Sequence, residues 1–479
     1  MSKAFYLTTT LPYVNADPHI GFALELVHAD ILARYRAQEG DEVFFNTGTD
    51  EHGLKIFRKA QEEGKDAQAY VDEYAAKFRS LKEKLGLYDD LHFIRTTDVH
   101  HKKAAEEMWR RCLKNEDIYK KKYKGLYCVG DEAFIKETEL VNGKCPNHPT
   151  MQPMEIEEEN YFFRLSNYQD KLLAYLGQEG VIVPEWRRLE AIKFVEQGLE
   201  DFSISRTKEK MPWGVAVPDD DTQVMYVWFD ALTNYISTLG WPEDEANFMK
   251  FWGTKEKPNA IQVAGKDQVR FQSIMWQAML MSAGLPTTKQ VVYHGFITSG
   301  GQKMSKSLGN VIDPIKIVDE YGADALRYFL ARHIQPFDDS DFTMEKFKEA
   351  YNADLANGIG NLSSRVMQLA QTHLAGAVKV EYVPPPKEFT SALDRYDIGA
   401  ATVYIMERVQ ALDQKINQTE PFKVVKSDPE KGKQIIEELV HELAAIDLLL
   451  EPVIPETSRK IIDAIMANKK PENLFPRKE

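Results

Sequence analysis

The chain has 479 residues, 43% of them apolar and 28% charged, a balance that supports two or three domains with sizeable cores. No apolar run reaches the roughly 18–20 residues that a bilayer requires. Three cysteines, Cys112, Cys128 and Cys145, are too few for a disulfide framework and fit a reducing, cytoplasmic setting. The net charge of −14 speaks against a broad phosphate-binding surface. It leaves room for local basic faces such as Lys120-Lys121-Lys122 with Lys124, or Arg187-Arg188, each of which by itself reads as solvated charge.

From the start, Met1-Ser2-Lys3-Ala4 leads into a strand rather than a signal peptide. A strand is predicted over 4–10, a loop over 11–17 and a helix from about 19 to 39. On that helix Ile20, Ala23, Val27, Ile31 and Tyr35 recur every three or four positions, and Gly40 marks its stop. Glu42 to Asn46 predicts the next strand, followed by the polar loop Thr47-Gly48-Thr49-Asp50-Glu51-His52-Gly53. Polar loops after successive strands are where open parallel sheets bind ligands. Between about 118 and 218 the pattern becomes short β-like runs, turns and acidic stretches such as 155–159, and reads as an insertion. Strands are then predicted at 224–228, 260–263 and 291–294, with a helix after Gly265-Lys266-Asp267 running to about 283. A parallel sheet interrupted by an insertion is the simplest account. From about 346 onward three helical stripes follow: Tyr351 to Leu369, Ile398 to Ile416, and Ile435, Leu439, Leu443, Ile446 and Leu450. Prolines at 384–386, 421 and 455 punctuate them, predicting a bundle of four or five helices.

Two short motifs carry the chemistry. Pro18-His19-Ile20-Gly21 stands at a strand-to-helix turn, where a histidine can donate to a phosphate oxygen, a glycine permits close approach, and the helix N-terminus favours an anion. Lys303-Met304-Ser305-Lys306-Ser307 follows the Gly- and Ser-rich segment Thr298-Ser299-Gly300-Gly301-Gln302. Its two lysines can neutralise a polyphosphate. Together, in this order, the motifs indicate ATP-dependent adenylyl transfer.

With Leu11-Pro12-Tyr13-Val14-Asn15, the 48–53 loop, Tyr226-Val227-Trp228-Phe229-Asp230-Ala231 and Gly265-Lys266-Asp267, these motifs identify a resemblance. Over essentially its whole length the chain resembles the class I aminoacyl-tRNA synthetases, and among them the methionyl family. The resemblance implies an α/β fold: a Rossmann-like catalytic domain in two halves (1–117 and 219–298) around an inserted connective domain (118–218). A lysine-loop and stem-contact region (299–345) and an all-α anticodon-binding bundle (346–479) would follow. It implies activation of methionine with ATP and Mg²⁺, then transfer to methionine tRNA, initiator and elongator. His19, Lys303 and Lys306 would be catalytic; these with Gly21, Gly265, Asp267 and His294 would hold ATP, Asp267 at the ribose. Leu11, Tyr13, Asp50, Trp228, Ala231, Tyr235, Phe271 and Gln272 would form the methionine pocket. There Asp50 would hold the ammonium, and aromatic rings suit a thioether. Asn361 and Arg365, one helical turn apart, and Phe422 after Pro421 would read the anticodon, the ring by stacking.

Two positions depart from the family pattern. Phe22 stands where a second phosphate-facing histidine is usual, and Gln272 replaces the pocket histidine. In the insertion, Cys128-x-x-Asp131 and Cys145-x-x-His148 resemble the family's zinc knuckle with one aspartate among its ligands. A zinc-bound knuckle and a metal-free remnant both stand at this point. The insertion is too short for a large editing domain, no dimerisation domain follows the bundle, and a cytoplasmic monomer with no membrane association is expected. Rival expectations are another class I synthetase, such as the cysteine enzyme, and a tRNA-binding paralogue impaired in activation.

Overall fold

The computed structural model describes residues 3–129, 133–135, 137–146, 148–304 and 309–478. It divides into two compact units: Met1–Pro18, Asp41–Ser80 and Asp89–Tyr293 form one, and His19–Gly40, Leu81–Tyr88 and His294–Glu479 the other. Among the described residues no helix is long and apolar enough to cross a membrane.

The first unit is built on a six-stranded sheet. Its strands are β1 (Ala4–Thr9), β2 (Glu42–Thr49), β3 (His92–Arg95), β4 (Ile182–Val183), β5 (Ala260–Gly265) and β6 (Gln290–His294), in the order β3-β2-β1-β5-β6-β4. The β1–β2, β1–β5, β2–β3 and β4–β6 pairs are all parallel. All six residues of β5 and the last five of β1 are buried, as strands covered on both faces must be, and this takes in the polar Thr8, Thr9 and Gln262. Strand order reverses between β1 and β5. The loops leaving their C-terminal ends therefore diverge and open the crevice in which such sheets bind ligands.

Two expectations are corrected here. The run 224–228 is not one strand: Asp220–Met225 is a strand of a small antiparallel sheet, and the chain turns into a helix at Val227–Ala231. In addition, β4 lies within the stretch 118–218, so that stretch is not a single excursion from the main sheet. Its β-rich part is a four-stranded sheet of Ala133–Ile135, Ile118–Cys128, Met154–Phe163 and Phe202–Ser203. There the lysine cluster faces an acidic strand: Lys122 pairs opposite Glu159 and Lys124 opposite Glu157, and Lys124 Nζ lies 2.8 Å from Glu155. Opposite charges across neighbouring strands stabilise the pairing, which accounts for both clusters without a nucleic-acid partner.

In the second unit, the helix Ile20–Gln38 buries its predicted stripe together with Glu25, His28 and Asp30. It is internal, not amphipathic. Its buried charge is matched: Asp30 lies 2.6 Å from Arg327, both fully buried, and Arg327 also donates to the carbonyls of Leu85, Pro452 and Val453. Such a pair holds its elements in one arrangement because removing either partner strands a buried charge.

The C-terminal part has six helices among the described residues, not four or five. The long ones are Met344–His373, Ile398–Thr419, Pro429–Leu450 and Pro455–Ala467; the short ones are Lys387–Asp394 and Pro421–Ser427. The short helices start at prolines, 386 as cap and 421 as first residue, where a missing N–H costs nothing. On the Pro429–Leu450 helix the buried stripe runs through Ile436 instead of Ile435.

Candidate active site

Within the first unit, the loops after β1 and β2 are stitched together. The Asp50 N–H donates to the Pro12 carbonyl (2.9 Å), and the Val14 N–H donates to the Asp50 carbonyl (3.2 Å). Tyr13 and Asp50 thereby become neighbours in a parallel bridge. Glu51 anchors the loop below: buried, it receives Arg95 in a bidentate pair (2.7 and 2.8 Å) and the hydroxyls of Thr49 and Thr97. Its carbonyl accepts from Trp213 Nε1 at 2.6 Å.

After β5 the chain passes through Gly265-Lys266-Asp267 into a widened helical segment, Phe271–Met275, with i→i+5 bonding. Such π-turns recur at functional sites because they re-aim side chains. Phe271 here stacks on Trp228, with centroids 3.8 Å apart and planes 13° from parallel. Gln272 is fully buried and donates from Nε2 to the Tyr235 hydroxyl at 2.6 Å and to Thr10 Oγ1 at 3.4 Å. Its Oε1 is buried with no hydrogen-bond partner among the described residues. Gln272 and Tyr235, both predicted for the pocket, thus meet directly. Leu11, Asp50, Ala231 and Tyr235 are buried, and Tyr13, Trp228 and Phe271 half-buried. Of the pocket predicted from sequence, the unit brings together Tyr13 with Asp50, Trp228 with Phe271, and Tyr235 with Gln272.

One group that sequence reasoning passed over lies next to these. Asp230, between Trp228 and Ala231 on the Val227–Ala231 helix, is fully buried and accepts from two imidazoles. His52 Nδ1 is 2.6 Å away and His101 Nε2 2.9 Å, and His101 Nδ1 meets Ser237 Oγ at 2.9 Å. Burial alone would raise this carboxyl, but the two imidazoles outweigh it and hold Asp230 at about 2, so it is a carboxylate. Both His52 and Asp230 stand inside quoted motifs; the signal was there, without a way to see that they meet.

Within the second unit, His19 is the N-cap of the helix Ile20–Gln38, its Nδ1 accepting from the Gly21 N–H at 3.1 Å. Burial lowers its pKa, which favours the neutral ring. A neutral ring accepting at Nδ1 carries its hydrogen on Nε2, the atom then able to donate to a phosphate. A Cβ at Gly21 would come 2.9 Å from His19 Cε1 and 3.0 Å from Nδ1, so this glycine makes room for the imidazole itself. The ring of Phe22 packs on His19, with centroids 4.5 Å apart.

The lysine loop begins in the same unit. Ile297–Ser299 pairs with Gln302–Lys303 and with Ser340–Asp341, Thr298 standing opposite Lys303. Gly300 and Gly301 both take positive φ in the turn, which suits residues without a Cβ. The turn is pinned by Asp341, which accepts from the Gly301 N–H at 2.7 Å; that bond is the leading reason its carboxyl lies below the usual range. Beyond the loop, the Ile312 carbonyl accepts from the Ile20 N–H at 3.0 Å, tying the far end of the segment to the start of the histidine-capped helix. Lys306 lies outside the described residues. His294 has both ring nitrogens at protein acceptors, Gly295 O (2.8 Å) and Glu25 Oε2 (2.9 Å).

The knuckle brings together three donors: Cys128 Sγ, Cys145 Sγ and a His148 nitrogen lie within 4.8 Å of one another. Both sulfur-to-nitrogen separations, 3.9 and 4.0 Å, approach the roughly 3.6 Å of a tetrahedral zinc site with its usual bond lengths. The donor set therefore fits Zn²⁺, with Asp131, outside the described residues, as the fourth predicted ligand. In the bundle, Asn361 and half-buried Arg365 share one helix, and Phe422 is 42% exposed. Arg365 pairs with Asp413 and donates to Asn417 Oδ1 at 2.9 Å.

An order-reversing parallel sheet, a His–Gly helix start and a glycine-turned lysine hairpin are together the framework of a class I aminoacyl-tRNA synthetase. The chain belongs to the family described as tRNA synthetases class I (M), whose model matches residues 5–152 and 149–367. It is 40% identical to the methionine--tRNA ligase of Thermotoga maritima over 98% of this chain and 76% of that protein. To that of Mesorhizobium japonicum it is 39% identical, over 98% and 93%. A solved structure of Mycobacterium tuberculosis methionyl-tRNA synthetase in complex with methionyl-adenylate superposes with a TM-score of 0.90. It is 35% identical, covering 99% of this chain and 100% of that one.

Proposed function

We propose that the protein activates methionine with ATP, forming methionyl-adenylate and pyrophosphate, and transfers the methionyl group to the 3′ end of methionine tRNA, initiator and elongator alike. The observation that carries this is the likeness, over nearly the whole chain, to ligases of that specificity and to a structure titled as holding methionyl-adenylate.

In this reading the methionine carboxylate attacks the α-phosphorus, an oxygen–phosphorus bond forms, and pyrophosphate leaves. No side chain need act as nucleophile, so catalysis rests on positioning and on stabilising developing charge. His19 donates from Nε2 to a phosphate oxygen. Lys303 and Lys306 neutralise the departing pyrophosphate, while Gly265 and Asp267 receive the nucleoside. ATP brings its Mg²⁺. His294, engaged with Glu25 and Gly295, is counted with the ATP-binding residues in this reading. Asp50 binds the ammonium, and Tyr13, Trp228 and Phe271 enclose the thioether with Leu11 and Ala231, with Tyr235 and Gln272 completing the pocket. Asn361, Arg365 and Phe422 receive the anticodon, Arg365 exchanging its protein partners for RNA. Zn²⁺, where bound by Cys128, Cys145 and His148, supplies a structural cross-link. A cytoplasmic monomer is part of the same proposal; sedimentation in solution tests the oligomeric state.

Methionine-dependent exchange of pyrophosphate into ATP tests the reading. Exchange with methionine and not with cysteine or leucine is expected. Exchange with another amino acid in place of methionine would transfer the protein to another class I specificity. Tight tRNA binding without exchange would make it a non-activating paralogue.

A further inference from the structure

We propose that Asp230 is a positioning residue for the amino-acid pocket: through His52 and His101 it holds the Asp50 loop and the Trp228 helix in one fixed relation. The inference rests on the proposed function, and deepens it.

Three elements of one unit meet at this carboxylate. One oxygen is 2.6 Å from His52, two residues beyond Asp50; the other is 2.9 Å from His101, on the helix Val99–Lys114. Asp230, His101 and Ser237 are fully buried, and His52 is 2% exposed. A carboxylate only accepts hydrogen bonds, so both imidazoles must present N–H to it, and this fixes their tautomers. With His52 Nδ1 directed down at Asp230, the backbone from Asp50 to Gly53 is held at its far end. Its near end is held by the bridge to Tyr13.

The other tethered element needs the contact as much. Val227–Ala231 is little more than one helical turn, too short to persist by its own backbone bonds. It carries Trp228 and Ala231 on either side of Asp230. The contact with His52 ties this turn to the Asp50 loop, and the contact with His101 ties it to the helix Val99–Lys114. Charge-assisted hydrogen bonds are the strong and directional ones, and a displacement of about 1 Å in a reacting group can cost about a hundredfold in rate. The network touches no substrate atom in this account; it acts on Asp50 and Trp228.

The test compares His52→Leu with His52→Asn. Asparagine places an N–H donor near the position of Nδ1, whereas leucine keeps the bulk and offers no donor. Steady-state pyrophosphate exchange is measured at varied methionine and at varied ATP. The leucine variant is expected to raise the KM for methionine by about tenfold or more, with the KM for ATP within about twofold of wild type. Asparagine should recover most of the loss. Asp230→Asn, which keeps shape but sets an amide donor against one imidazole, should move the methionine KM in the same direction. Should the leucine variant not fold, that substitution decides alone. An unchanged methionine KM, or equal rises for both substrates, would overturn the proposal. Absence of methionine exchange in the wild-type protein would instead overturn the functional reading on which it rests.

Discussion

At the scale of single residues, the histidine and glycine of the opening motif depend on each other before any ligand binds. His19 caps its own helix through the Gly21 N–H, and the nearest atoms to a Cβ at position 21 belong to the His19 ring. In Gly21→Ala the imidazole must rotate away while the helix stays intact. We expect near-native folding by circular dichroism and a loss of at least about tenfold in pyrophosphate exchange, since removing one transition-state donor costs about 10²–10³ in rate. An alanine variant with wild-type exchange would show that the ring's position is immaterial. A second residue-scale prediction concerns Asp447, 5% exposed on the helix Pro429–Leu450, its Oδ1 without a hydrogen-bond partner among the described residues. Burial, helped by Glu451, pushes its carboxyl up to about 7. The fold therefore binds a proton that the unfolded chain has released above about 4. Linkage then makes stability fall as pH rises from about 4 to about 7, with no further loss above. Asp447→Asn cannot ionise, so it should equal wild type near pH 4 and exceed it at pH 8, by at most about 4 kcal/mol. Thermal unfolding at both pH values checks this; equal midpoints at pH 8 would refute it.

At the scale of elements, the functional side chains sit where regular structure is interrupted. Phe271 and Gln272 lie in a π-turn, Asn361 follows a second one at Tyr351–Gly360, and Trp228 lies on a helix of barely more than a turn. That is also why part of the site was illegible beforehand. The apolar run 224–228 reads as a strand by composition, but the chain turns helical at Val227, and Asp230 on that turn is held by two imidazoles far away in sequence. No local pattern encodes those contacts. Likewise β4, two residues long, is below the length at which periodicity is detectable. The knuckle offers the prediction at this scale. A hairpin whose thiols and imidazole converge this closely should bind close to one Zn²⁺ per chain by elemental analysis, and lose it in Cys145→Ser. Loss should raise proteolytic nicking of the 128–148 segment more than it lowers exchange, because the metal's part is structural. Full occupancy in the serine variant would remove Cys145 from the ligand set.

At the scale of the whole molecule, the alternation of strand and helix, its interruption and the change to helical stripes were readable because each follows from a periodicity that burial enforces. So were the motifs, which are contiguous. Pairings across the sequence were not: Glu51 with Arg95, Asp230 with His101, and Arg327 with three distant carbonyls are choices of tertiary structure. One consequence separates the chain's two proposed tasks. Phe422 is 42% exposed, so replacing it forfeits only part of a buried ring's contribution and should leave the fold intact at a modest cost in stability. Its ring lies more than a hundred residues beyond the lysine motif, on the short helix Pro421–Ser427, following the helix whose Asp413 and Asn417 hold Arg365. If it stacks on an anticodon base, its loss removes about 1–3 kcal/mol from tRNA recognition. That corresponds to a fall of about fivefold to about 150-fold in kcat/KM for tRNA charging by Phe422→Ala. Pyrophosphate exchange, which needs no tRNA, should stay within twofold of wild type. Parallel loss of both activities would mean that the ring supports the fold, and an unchanged charging rate would remove it from the RNA-binding surface.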